Sequence, residues 1–96
     1  MIIKLSPQRR DDTLKVSKRS DVLTINGERF DFRPVTEGAT LPAAAISCPW
    51  IAGDVTRVGG ELIVPLILPL GPDASEAALH PLDIIGPADG NLELPT

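Results

Sequence analysis

The sequence predicts a small all-β domain, an antiparallel sandwich or a partly open barrel of about seven short strands with at most one or two single-turn helices. Three observations predict it. Asn26-Gly27 stands between two alternating segments, and a type I′ turn needs φ > 0 at both central positions, which these two residues tolerate best. The 10 prolines interrupt the second half repeatedly, and 73–80 is the stretch there that reads as helical. Residues 13–18 alternate apolar and polar, while 62–68 is apolar on both faces, as in a strand covered on two sides.

Taken in order, residues 1–5 read as a first strand ended by Ser6-Pro7, and 6–12 as a polar loop. Residues 13–18 form a strand with Leu14 and Val16 inward. The hairpin follows with its register testable against itself: Ile25 opposite Glu28, Thr24 opposite Arg29, Leu23 opposite Phe30, Val22 opposite Asp31. Opposed side chains share a face, so Leu23, Ile25, Phe30 and Phe32 point one way with Glu28 at the turn end, while Val22, Thr24, Arg29 and Asp31 point the other. Pro34 ends this meander. Pro42 can open one helical turn over 42–46. Residues 54–58 and 61–68 pair around Gly59-Gly60. A two-residue turn sets Arg57 against Leu62; a three-residue turn sets Arg57 against Glu61, the better charge pair and the expected one. Pro65 belongs at an edge or a bulge. An apolar strand such as 62–68 cannot stay open, so the 70–81 loop, the other sheet or a second copy must cover it. Asp73-x-x-Glu76 has capping-box spacing, and 73–80 fits one or two helical turns or a proline-bounded loop. Residues 82–85 and 91–94 are the last short strands.

Ninety-six residues make one domain, 1–96, whose core is modest. Charge is uneven. Residues 1–33 carry eight basic side chains against five acids, and residues 34–96 carry Arg57 against eight acids. The basic third therefore packs near the acidic remainder, within one molecule or between copies. The acidic whole and the lack of interleaved aromatics argue against nucleic acid. No apolar run reaches membrane-spanning length and no signal peptide is visible. The lone Cys48 excludes a disulfide framework and fits synthesis in the reducing cytosol.

No motif carries chemistry. His80 is the only histidine and has no signalled partner. Cys48 reads as a small buried hydrophobe. Gly59-Gly60 lacks the Lys-Ser/Thr of a phosphate loop, and no metal spacing is present. No catalytic residue, cofactor or metal is expected. Trp50, the sole tryptophan, plugs the core or stands at an interface.

Leu5-Ser6-Pro7-Gln8-Arg9-Arg10-Asp11-Asp12, Leu23-Thr24-Ile25-Asn26-Gly27-Glu28, Phe30-Asp31-Phe32, Glu37-Gly38-Ala39-Thr40-Leu41-Pro42-Ala43 and Leu68-Pro69 resemble small phage- and prophage-encoded proteins of proteobacteria that lie among tail genes. The resemblance implies a tail-associated structural or assembly protein, made in the cytoplasm and carried into the virion if it is a tail component. Its partners are then protein: further copies of itself and tail proteins. The residues expected at the contact are Trp50, Leu62, Val64, Leu66 and Leu68. The alternative is a ligand-binding β module, for instance for carbohydrate, with Trp50 as stacking platform.

Overall fold

The computed structural model describes residues 1–95 and is a two-sheet, all-β structure without a closed barrel. Its strands are β1 (Ile2–Arg9), β2 (Val16–Arg19), β3 (Val22–Ile25), β4 (Glu28–Asp31), β5 (Thr40–Leu41), β6 (Val55–Val58), β7 (Glu61–Leu70), β8 (Ile84–Ile85) and β9 (Gly90–Asn91). A 3-10 turn covers Ala43–Ala45, and the one α-helical turn, α1, covers Glu76–Leu79. One sheet has the order β5-β6-β7-β1-β8 and the other β4-β3-β2-β9. A single buried cluster joins the sheets through Ile3, Val55, Leu62, Val64 and Leu66 from one, and Val16, Leu23 and Ile25 from the other. Among the described residues no helix is long and apolar enough to cross a membrane.

The first hairpin has the expected register, with Val22, Leu23, Thr24 and Ile25 opposite Asp31, Phe30, Arg29 and Glu28. Asn26 (φ 48°) and Gly27 (φ 85°) both take positive φ, as the tight turn demands. Asn26 also reaches back. Its Oδ1 accepts from Lys15 N–H at 2.7 Å and its Nδ2 donates to Thr13 O at 3.0 Å. The side chain therefore pins residues 13–15, and β2 starts only at Val16.

Four expectations are corrected. First, the described residues form nine strands, two of them long (β1 and β7), and they are not all antiparallel, because β1 runs parallel to β7 from Ile2↔Ile63 to Arg9↔Leu70. Second, β1 continues through Pro7. Arg10 N–H donates to Leu70 O, so by alternation Pro7 faces the other edge, which β8 leaves unpaired beyond Ile3. A missing N–H costs nothing there. Third, β6 and β7 join through a two-residue turn with Gly59 (φ 59°) and Gly60 (φ 80°), placing Arg57 opposite Leu62 and Val58 opposite Glu61. Arg57 finds its carboxylate on the other sheet, in Asp21, instead of on Glu61. Fourth, Ser75 and not Asp73 caps α1: its Oγ accepts from Ala78 N–H at 3.3 Å.

Strand β7 is central, which answers what covers it. Its first three residues pair with β6 and nearly all of it with β1. Beyond β6, residues 50–52 continue the pairing: Ala52 N–H donates to Pro65 O (3.0 Å), Ile67 N–H donates to Trp50 O (2.8 Å), and Ile51 bridges Leu66. Pro65 thus sits where β6 gives way to the 50–52 segment. Gly53 passes so close that a Cβ there would meet the Pro65 ring at 3.3 Å.

Candidate functional site

The residues expected at an interface lie inside a single chain. Leu62, Val64, Leu66 and Leu68 are 0–1% exposed and Trp50 is 6% exposed. Leu62, Val64 and Leu66 point with period two into the inter-sheet core, and Leu68 continues that face to a cleft at its end. Trp50 is not an open stacking platform either. The Arg10 guanidinium lies 4.4 Å from the indole centroid, and the same guanidinium forks Asp12 through Nε (3.0 Å) and Nη2 (2.9 Å). Asp12, Arg10 and Trp50 form one cation–π stack that closes the aromatic face.

The other singled-out side chains are scattered. His80 is fully on the surface, and its Nε2 lies 3.9 Å from the exposed Glu76 carboxylate. Cys48 is free and half-buried among core-flanking residues. Among the described residues no group of three or more His, Cys, Asp and Glu is placed to hold a metal. A cleft of about 460 Å³ opens beside the Arg10 stack. Leu14, Leu68, Leu70, Ala78 and Leu94 line it, with Asp11, Asp12 and Asp73 at its rim.

What the surface does present is apolar. Opposed Cα partners Thr40↔Thr56, Thr56↔Ile63, Ile63↔Ile2 and Ile2↔Ile85 place five side chains in one row across five strands. The row faces away from the core, because the alternate residues Ile3, Leu62 and Val64 are fully buried. It ends at β8, an edge strand with Ile85 75% exposed, and Leu82 just before β8 is 86% exposed. In the chain between β7 and β8, Ala78 is buried and lines the cleft with Leu68, Leu79 is 43% exposed, and Asp83 lies 3.7 Å from Lys4 Nζ on the outer side of the sheet. Residues 73–85 therefore form an exposed margin that carries Leu79, Leu82 and Ile85 together with Asp73, Glu76 and Asp83. Sequence reading missed this margin. The available signal was Leu82 and Ile85 flanking Asp83 in a segment too short to be covered.

The uneven charge is largely satisfied within the chain. Arg57 pairs with Asp21 (2.9 Å), Lys18 with Asp89 (2.8 Å), Lys4 with Asp83, and the N-terminal amine with Glu61 (2.7 Å), each linking the basic third to the remainder. Local forks add Arg10–Asp12 and Arg33–Asp31. The Arg33 hydrogen bonds hold Asp31 down at about 2, against an ordinary 3.8. Arg10 lowers Asp12, and Lys18 with the Ser20 N–H lowers Asp89. A carboxyl depressed in the folded state stabilises fully above its unfolded pKa, and that contribution is lost as pH falls through the folded pKa. The thermal midpoint of Asp31→Asn should therefore lie below that of the parent at neutral pH, with the gap closing between the ordinary aspartate value of 3.8 and about 2. A gap that stays constant over that window contradicts the assignment.

Comparison with known proteins found no matching family model, no matching curated protein and no matching solved structure.

Proposed function

We propose that this chain is a non-catalytic structural or assembly protein that works by protein contact, and that it acts among the tail-associated components of a phage or prophage. The exposed apolar margin carries the first part: Ile85, on the edge strand β8, and Leu82, three residues before it, are the two most exposed large apolar side chains among the described residues. Large apolar side chains gathered at an open edge mark a contact that another chain completes. The resemblance of the 5–12, 23–32 and 37–43 segments to tail-region proteins supports the second part. The buried Trp50 moves the contact away from the tryptophan and onto the margin.

Sedimentation velocity at tens of micromolar tests the reading. The parent should run as a multiple of the 10.2 kDa chain. Leu82→Lys with Ile85→Lys should return it to the monomer without lowering its thermal midpoint, because both side chains lie outside the core. A parent that is monomeric throughout that range removes the main support.

A further inference from the structure

We propose that the margin of one copy docks on the outer face of the four-stranded sheet of a second copy. This rests on the protein-contact reading above and names the partner that the margin fits. Residues 71–85 contain Asp73, Glu76 and Asp83 and no lysine or arginine. Asp83 is engaged by Lys4, whereas Asp73 has no cation within ion-pair distance among the described residues and Glu76 has only the exposed His80.

The complementary surface is fixed by strand pairing. Ser17, Thr24 and Arg29 lie in one row across β2, β3 and β4, and Arg19, Val22 and Asp31 lie in the next. Both rows face away from the core, since Val16, Leu23 and Ile25 occupy the inner face. Asp31 is forked by Arg33 and Asp89 is held by Lys18. That leaves Arg19 and Arg29 with no carboxylate within ion-pair distance among the described residues. The two arginines line one shallow concavity with Ser17, Thr24, Val22, Lys18 and Asp89, the last already held by Lys18. The face thus offers two guanidiniums outside ion-pair distance of any carboxylate among the described residues, two hydroxyls and an apolar floor, and the margin offers Asp73 and Glu76 in the same segment as the exposed Leu79 and Leu82. Charge sets the register of such a contact, and apolar burial supplies the attraction.

Each copy carries one margin and one basic face, and the two patches differ. The contact is therefore heterologous, and repetition yields a ring if the rotation closes or a filament if it does not.

Two charge-reversed proteins test this by sedimentation velocity, alone and mixed: Arg19→Glu with Arg29→Glu, and Asp73→Lys with Glu76→Lys. Circular dichroism and thermal midpoints confirm that both fold. Each alone should self-associate about tenfold or more weakly than the parent, because like charges then face each other. An equimolar mixture should regain the parental mass, because both mismatched contacts become complementary again. Parental association should weaken as salt rises. Retention of parental mass by either protein alone, or a mixture no heavier than its components, overturns the docking. If Leu82→Lys with Ile85→Lys abolishes association while both charge-reversed proteins keep it, this docking falls and the protein-contact reading stands. A parent that is monomeric at every salt concentration removes both.

Discussion

Phe32→Ala should be the most damaging single truncation in the chain. Phe32 is the largest of the fully buried side chains, at 1% exposure, and belongs to the cluster that joins the two sheets. Its backbone is tied as well: its N–H donates to Asp21 O at 3.0 Å, and its carbonyl accepts from Val35 N–H at 3.0 Å. The backbone therefore cannot shift to collapse the cavity, and phenylalanine-to-alanine losses in such sites run at about 3–5 kcal/mol. A domain of this size holds roughly 5–15 kcal/mol in total, so much of the margin goes. The thermal midpoint should fall by roughly 12–40 °C. Phe30→Ala supplies the contrast, because Phe30 is only half-buried and packs against the cluster from outside. Urea unfolding of the two variants measures the difference. Equal losses at 30 and 32 would mean that Phe32 is not the core anchor described here.

This pair shows what was legible in the sequence. Strand pairing around Asn26-Gly27 is local, and a one-residue slip would have turned Leu23 and Ile25 to solvent, so period-two patterning and turn chemistry sufficed. The inward direction of Phe32 followed from the same alternation. The parallel β1–β7 pair was not legible, because its partners are some 60 residues apart (Ile2↔Ile63) and nothing local encodes that meeting. The apolar character of β7 predicts a strand covered on two sides: its edges are paired and its even-numbered side chains through Leu68 are buried, but on the other face Ile63 stays half-buried in the outward row. Assigning Leu62, Val64, Leu66 and Leu68 to an interface confused coverage by the chain's own second sheet with coverage by another molecule. Pattern alone cannot separate those two, since both bury the same side chains. The margin at 73–85 escaped for the opposite reason: its apolar residues follow no period, and only the fold shows that nothing lies over them.

Arg57 is the residue whose role tertiary structure reveals most sharply, and its removal should cost more than any other polar substitution. Opposite Leu62, its side chain points toward the inter-sheet space, where it is 16% exposed. There Nε donates to Val35 O (2.5 Å), and Nη2 donates to Asp21 Oδ2 (2.9 Å) and, at a longer 3.5 Å, to Phe32 O. The planar guanidinium thus ties β6 to the β2–β3 turn and to the connection leaving β4, the point where the chain crosses between sheets. The backbone around it is equally committed: Gly38 N–H donates to Arg57 O, Arg57 N–H donates to Ala39 O, and the Glu37 carboxylate accepts from the Gly59 and Gly60 N–H groups. Arg57→Ala leaves the Val35 carbonyl and the Asp21 carboxylate without this donor, while the Phe32 carbonyl keeps the Val35 N–H. Loss of a donor to buried acceptors costs about 1–3 kcal/mol, and the lower part of that range applies to the Asp21 component, because its side chain is 34% exposed and partly resolvated. Arg57→Lys should recover only a minor share, since an ammonium cannot reach the carbonyl and carboxylate acceptors in one plane. In urea unfolding, Asp21→Asn should destabilise the parent but have little effect on the Arg57→Ala background, a coupling expected only if the two side chains meet across the sheets. Strict additivity of the two substitutions would show that the sandwich closes without this bridge.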